Sequence, residues 1–444
     1  MNVKGPSPST SIPRVWPFKR VYYGWAIVIA TFVISFGQVP VFGPVLGVFI
    51  LPMQQELGWS RATLSFGFTV GSITGSVTTF IIGSLLDRYG ARIIVVSAGI
   101  IIAGAMLGLG MMDQPWQFWT FFGMGRGAAL AGIQGGTSVA LANWFIRKRG
   151  RAMAIKGMGL RIGQATFPLI IFAIMTASTW RHAYLWLAGL TFVCIVLPSA
   201  LYIRRRPEDM GLHPDGMAPN AVPPEGTSNA SRPSRGRPEG YEESWTLAEA
   251  RKTRALWLLI LFSLVAPFAL GSMNLHMVAN FQDKGIPDGL AVSVLSIFAA
   301  VSSVTVLPWG FLLERVHVRY ASMLMCAFQG IACVIIIVAK TFPMAVAFSV
   351  VYGIGQAGWA VIQNLIIADY VGRRHAGAIR GFTSPFRLLG PFGPVFTGYV
   401  RDITGSYTLA FQILTGAFVI NFMLLLLAVP PKKGPSTEEQ DGAD

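Results

Sequence analysis

The sequence predicts an all-α membrane protein of twelve transmembrane helices, divided into two halves of six. Three observations predict it. The chain is 53% hydrophobic and only 12% charged, well below the roughly 25% charge of soluble domains. Apolar runs of about 20 residues, enough to cross ~30 Å of hydrocarbon, recur along its whole length. One ten-residue pattern occurs twice, once in each half.

The runs fall at 22–48, 62–86, 91–112, 116–143, 152–176, 182–203, 255–280, 290–313, 319–339, 343–368, 378–400 and 408–430. Most connections are too short for a separate soluble domain. The expected organisation is a tail at 1–21, six helices at 22–203, a linker at 204–252, six more helices at 253–430 and a tail at 431–444. The linker is rich in Pro, Gly and Ser, a composition expected to be largely disordered. Near its end, Thr246 followed three residues later by Glu249 is a capping-box pattern that predicts a helix start. The polar, proline-rich residues 1–20 precede a full-length span, so no cleavable signal is expected.

The formal charge of +15 has a topological origin. With the first residue in the cytoplasm, 27 of the 35 Lys and Arg fall on inner segments. Five fall on outer segments: Arg61, Arg181, Lys284, Lys340 and Arg401. This positive-inside bias places both termini in the cytoplasm and makes a nucleic-acid partner unnecessary. Lys156 closes the basic cluster at 147–156 and reads as the last charge before the fifth span. Cys194, Cys326 and Cys333 all lie in spans and read as packing residues; their spacing has no metal-site character. No nucleophile–base pair, metal-ligand cluster or phosphate loop stands out, so neither an enzyme nor a cofactor is expected.

Residues 83–92 read "GSLLDRYGAR" and residues 310–319 read "GFLLERVHVR", at a constant offset of 227 and on the same predicted side. That agreement points to an internal duplication. The first copy resembles the loop signature of the major facilitator superfamily, with Ala91 where a basic residue is common. "RRPEDMGLHPDG" after the sixth span looks like bacterial members. "NWFIRKRGRAMAIKGMGLRIG" at 143–163 and "YYGWAIVIATFVISFG" at 22–37 resemble the monocarboxylate transporter and oxalate–formate exchanger branch. The resemblance covers about residues 20–430. It implies two pseudo-symmetric six-helix bundles, a substrate between them near the midplane, and transport by rocking. It also implies a cytoplasmic latch, with Asp87, Arg88 and Arg92 in the first half and Glu314, Arg315 and Arg319 in the second. Asp369, in the loop before the eleventh span, is expected to join this gating set.

Three arginines remain inside spans: Arg126, Arg161 and Arg387. Each costs roughly 2.5–3.5 kcal/mol at mid-bilayer. Arg161 lies about 14 Å into its span, too deep for snorkelling to relieve it. Arg387 sits at similar depth in the equivalent span of the other half, 226 residues on. Paired guanidinium groups in a desolvated cavity bind carboxylates bidentately, so these positions are read as an anion site. Gln164 shares the Arg161 face, and Thr383 and Ser384 lie near Arg387. Gln38, Asn274, His276 and Gln134 are further polar candidates, His276 being placed near the wetted outer interface. Arg126 lies among Gly123, Gly127 and Ala131, a small-residue packing stripe matched by Gly67, Gly71 and Gly75 in the second span. "GPFGP" at 390–394 should weaken and bend the eleventh helix.

The branch is known for a lysine in helix one and an Asp-x-x-x-Arg pair in helix eight. This chain has no lysine in "SFGQVPVFGPVLG", and Ser302 and Val306 occupy the matching positions of helix eight. The expected function is therefore secondary transport of small organic anions, mono- or dicarboxylates, by alternating access. Proton symport and anion exchange both remain open. The expected setting is a bacterial inner membrane, with the bilayer and the anionic substrate as partners and the monomer as the working unit. The alternatives are a proton-coupled exporter of drug-like compounds, which needs a buried acid that these spans lack, and a transport-inactive sensor of the same fold.

Overall fold

With no water in a bilayer core, a spanning backbone must satisfy its own polar groups, and helices do so within one segment. All twelve predicted spans are helical in the computed structural model, which describes residues 22–146, 148–216, 245–371 and 376–431. The side chains of Asp87, Arg380, Ser384 and Arg387 lie outside the described set, as do the two tails and most of the linker. Two compact units, Met1–Ser228 and Asn229–Asp444, divide within the linker.

In the first unit, the first span consists of helices Gly24–Gly37 and Gly43–Leu57 joined by a short 3-10 turn. Spans two and three form one helical run, Arg61–Gly110, broken at Gly90. Gly90 has φ +79°, a left-handed value that L side chains rarely adopt. The fourth span runs from Pro115 to Trp144 with a π-helical turn at Ala128–Ile133. Helices Arg149–Ala177 and, with a second π-turn, Trp180–Tyr202 complete the unit.

In the second unit, Thr246 and Glu249 close the predicted capping box around the short helix Leu247–Ala250. Spans seven to ten follow as Arg254–Asp283, Asp288–Arg315, Val318–Val338 and Phe342–Val371. The eleventh span comprises Ala376–Thr383, a long 3-10 stretch at Ser384–Phe392 and Gly393–Thr404. Helix Thr408–Leu427 is the twelfth. Among the described residues, nine helices are long and apolar enough to cross a membrane.

The pairing of helices repeats between the units. Span one packs on five, two on four, and three on six; seven packs on eleven, eight on ten, and nine on twelve. The duplication read from ten residues therefore extends to the packing. Large apolar side chains such as Trp186, Val304, Leu307 and Ile420 face outward, the surface a bilayer solvates. Two of the predicted outer cations are paired at the helix ends. Arg181 meets Glu56 and Asp113, both at 2.9 Å, and Arg401 meets Asp283 at 3.2 Å.

Candidate functional site

In the first span, "GQVPVFGP" cannot continue as a regular helix, because Pro40 and Pro44 lack the N–H that each turn needs. The chain makes a 3-10 turn at Val39–Val41 and restarts at Gly43. Carbonyls freed by that break need donors. Arg126 supplies one: its Nη1 donates to the Val41 carbonyl at 3.0 Å, and its Nε donates to Ser72 Oγ at 3.1 Å. The guanidinium stacks 4.1 Å from the Phe68 ring centroid and 5.6 Å from that of Phe42. The residue is 8% exposed. Among the described residues no carboxylate touches it, and two of its five N–H donors are occupied.

The two predicted glycine stripes form the wall that seats this arginine. A Cβ at Gly71 would lie 2.7 Å from Arg126 Cδ, and one at Gly127 would lie 2.9 Å from Thr74 Cγ2. Beside the break, Gln38 is 1% exposed with its Oε1 unpartnered, and the buried hydroxyl of Ser35 is also unpartnered. Unsatisfied groups of this kind cost about 1–3 kcal/mol each when buried.

Arg161 and Gln164 are half-buried on the fifth-span helix. Gly159 and Gly163 let that helix approach the break, since a Cβ at Gly163 would lie 2.6 Å from Val39 Cγ2. One turn earlier, Lys156 reaches the fourth span. Its Nζ donates to the Gln134 carbonyl at 3.2 Å and to Ser138 Oγ at 2.7 Å. Counting it as the last inner charge hid this contact. The signal that could have revealed it is its place beyond Arg151 on an uninterrupted helix that begins at Arg149.

The candidates of the second unit are of a different kind. His276 is fully buried, which corrects its placement at a wetted interface. Its Nε2 lies 2.8 Å from the Pro394 carbonyl, which can only accept, so Nε2 carries the proton. Nδ1 then accepts from the Tyr407 hydroxyl at 3.0 Å. Asn274 Oδ1 accepts a 2.9 Å hydrogen bond from Tyr352. Thr383 is buried at the start of the 3-10 stretch. The predicted contacts of Ser384 and Arg387 lie outside the described side chains. "GPFGP" spans the change from 3-10 to α geometry.

Of the predicted gating residues, Arg88, Arg92, Glu314 and Arg315 are exposed, and Asp87 lies outside the described side chains. Arg319 is committed within its own unit, donating Nε to the Leu425 carbonyl at 2.8 Å and Nη2 to that of Leu426. Asp369 sits in the last turn of the tenth-span helix, a correction to its loop placement, and pairs with His317 Nε2 at 3.5 Å.

The family model described as Major Facilitator Superfamily matches residues 27–392 and again 276–443. This chain belongs to the Major Facilitator Superfamily. As a member, it is a multi-pass membrane transporter and not an enzyme. The resemblance to the monocarboxylate branch is borne out among its relatives. Monocarboxylate transporter 13 of Rattus norvegicus is 24% identical over 417 residues, covering 92% of this chain and 89% of its own. The hexuronate transporter of Bacillus subtilis (strain 168) is 24% identical over 414 residues, covering 85% and 88%. The crystal structure of nucleoside transporter NupG superposes with a TM-score of 0.72 at 13% identity, over 93% of this chain and 100% of that one. At that identity the superposition speaks for the fold alone.

Proposed function

We propose that this superfamily member carries small organic anions, mono- or dicarboxylates, by alternating access. The observation that supports it most is Arg126. A guanidinium this deep in a span is costly and marks a functional site, and its described contacts, one carbonyl, one hydroxyl and two rings, leave its charge without a described counter-charge. A travelling carboxylate would take the unspent donors and neutralise the charge. Arg161 adds a second cation in the same unit, and Gln38 and Gln164 are the neutral groups that would orient the acid. In the second unit we assign ligand contact to Arg387, Thr383 and Ser384. His276 is left out because both its ring nitrogens are engaged, and Asn274 keeps only its amide N–H for a ligand.

The relatives named for monocarboxylates and hexuronates agree with this chemistry. A drug exporter is disfavoured because a cationic cargo needs a buried acid, and the described spans hold their carboxylates only at helix ends. We further propose a bacterial inner membrane with both termini cytoplasmic, and a cytoplasmic latch built from the exposed Arg88, Arg92, Glu314 and Arg315 with Asp87.

Counterflow in proteoliposomes tests the reading. Saturable exchange of labelled lactate, glucuronate or succinate is the expected result. No exchange of any carboxylate, with exchange of a lipophilic cation instead, would overturn it and favour the exporter.

A further inference from the structure

We infer that Lys156 is the proton-carrying group of this transporter, binding one proton together with the anion on one side of the membrane and releasing it on the other. The inference rests on the anion reading above and names its coupling ion.

Carboxylates, the usual proton carriers in membrane proteins, occur among the described side chains only at span ends and in connecting segments, Glu56, Asp283, Asp288, Glu314 and Asp369 among them. Arginine does not deprotonate in proteins, which removes Arg126 and Arg161. His276 has an accepting carbonyl at Nε2 and a hydroxyl at Nδ1 inside a fully buried pocket. Lys156 remains: half-buried, inside a spanning helix, and held by neutral groups alone.

Ser138 Oγ lies 2.7 Å from Lys156 Nζ and donates its own proton to the Gln134 carbonyl at 2.6 Å, while Nζ lies 3.2 Å from that same carbonyl. In the ammonium form Nζ donates to both oxygens. When Nζ gives one proton to water it becomes an amine with a lone pair, and rotation of the Ser138 hydroxyl supplies a donor to it. The remaining N–H bonds still reach the Gln134 carbonyl. Both protonation states are therefore satisfied by the same three groups.

The electrostatic surroundings fit a site that a passing anion controls. The facing helix of the first span, Gly24–Gly37, carries no charged group. The facing residues of the fourth span are the neutral Gln134 and Ser138, the side chain of Asp87 being outside the described set. Glu56, Arg181 and Tyr184 belong to the opposite ends of spans one and six, and Lys148, Arg149, Arg151 and Asp215 lie at the start of the fifth-span helix. Arg161 follows five residues on, about 7.5 Å along the axis. An anion drawn to Arg161 favours the ammonium over the amine, and by linkage the proton favours the anion equally.

The experiment uses the full-length protein in proteoliposomes, with labelled lactate and labelled glucuronate as probes and a pH dye trapped inside. The wild type should show counterflow, and an inward proton gradient should add accumulation with acidification of the lumen. Lys156→Arg keeps the charge but cannot release a proton, so counterflow should stay within about threefold while gradient-driven accumulation falls at least about tenfold. Accumulation that survives in Lys156→Arg, or wild-type counterflow without any gradient response, overturns the proton role and leaves the anion reading standing. Absence of counterflow for both probes in the wild type removes the anion reading, and the coupling with it. Ser138→Ala decides the matter if Lys156→Arg does not fold. Losing a charge-assisted acceptor costs the ammonium more than the amine, so the pH profile of driven uptake should move down by about half a unit. An unmoved profile overturns the proposal.

Discussion

The two units share one helix-pairing scheme and differ in what they bury. Among the described side chains, the first unit places the cations Arg126, Lys156 and Arg161 within its spans, Arg126 and Lys156 being held by carbonyl and hydroxyl oxygens. The second buries neutral polar groups: His276 with Tyr407 and the Pro394 carbonyl, Tyr352 with Asn274, and the fully buried amides of Gln329 and Asn421. Among the described side chains, one duplicated framework therefore carries two different sets of buried polar groups, the in-span Arg387 of the second unit lying outside that set. Helix packing is fixed by small residues and shape, and it leaves the charge at a few positions free to diverge.

The largest effect should come from neutralising the first unit. Arg126→Gln should lower kcat/KM for an exchanged carboxylate by about 100-fold, and Arg161→Gln by about tenfold, since a half-exposed charge is screened more. Normal kinetics in both variants would break the comparison at its base. In the second unit the damage should fall on stability instead. His276→Ala empties a fully buried hydrogen-bonded site and should cost about 2–4 kcal/mol in unfolding, with KM unchanged. A variant of unaltered stability but weakened KM would give the neutral interior a ligand role.

A smaller effect separates the two copies of the repeated motif. Arg92 and Arg319 occupy matching positions, but only Arg319 donates to the last carbonyls of the twelfth-span helix. Arg319→Gln should cost about 1–2 kcal/mol, and Arg92→Gln should leave the melting temperature unchanged. Equal losses would show that the motif is structural in both copies.

The smallest effect is a pH dependence. Burial, and then the neighbouring Lys340, lowers the pKa of Lys284 from its ordinary 10.5 to about 8. Between those values the unfolded chain binds more protons than the folded one, so stability should rise as pH rises. Lys284→Met lacks that slope. Melting temperatures of the two proteins at pH 7.5 and pH 10 should therefore diverge, with the wild type gaining on the variant at the higher pH.

Much of the fold was legible before any coordinates. Hydrophobic runs located all twelve spans, because a bilayer enforces helix and length together. Thr246 and Glu249 announced a helix start through chemistry local to four residues. The interlocking glycine stripes of spans two and four were readable for the same reason, since a period of four residues marks one helix face. Arg126 and Arg161 were legible as costly charges.

What they touch was not legible. That Arg126 would bond to a carbonyl freed 85 residues earlier depends on the break at Val39–Val41 and on the approach of three helices. The burial of His276 likewise depends on Tyr407 and Pro394, more than 100 residues away in the chain. Lys156 was absorbed into a charge count that reads position along the chain and is blind to the face a residue presents.

The sequence by itself determined the class, the number of spans, the duplication and the presence of cations within spans, because hydrophobicity and charge act through a medium that is the same everywhere along the chain. Only the tertiary structure decided which groups Arg126 and Lys156 meet. Hydrogen bonds form over about 3 Å between groups far apart in sequence, and no local pattern encodes that meeting.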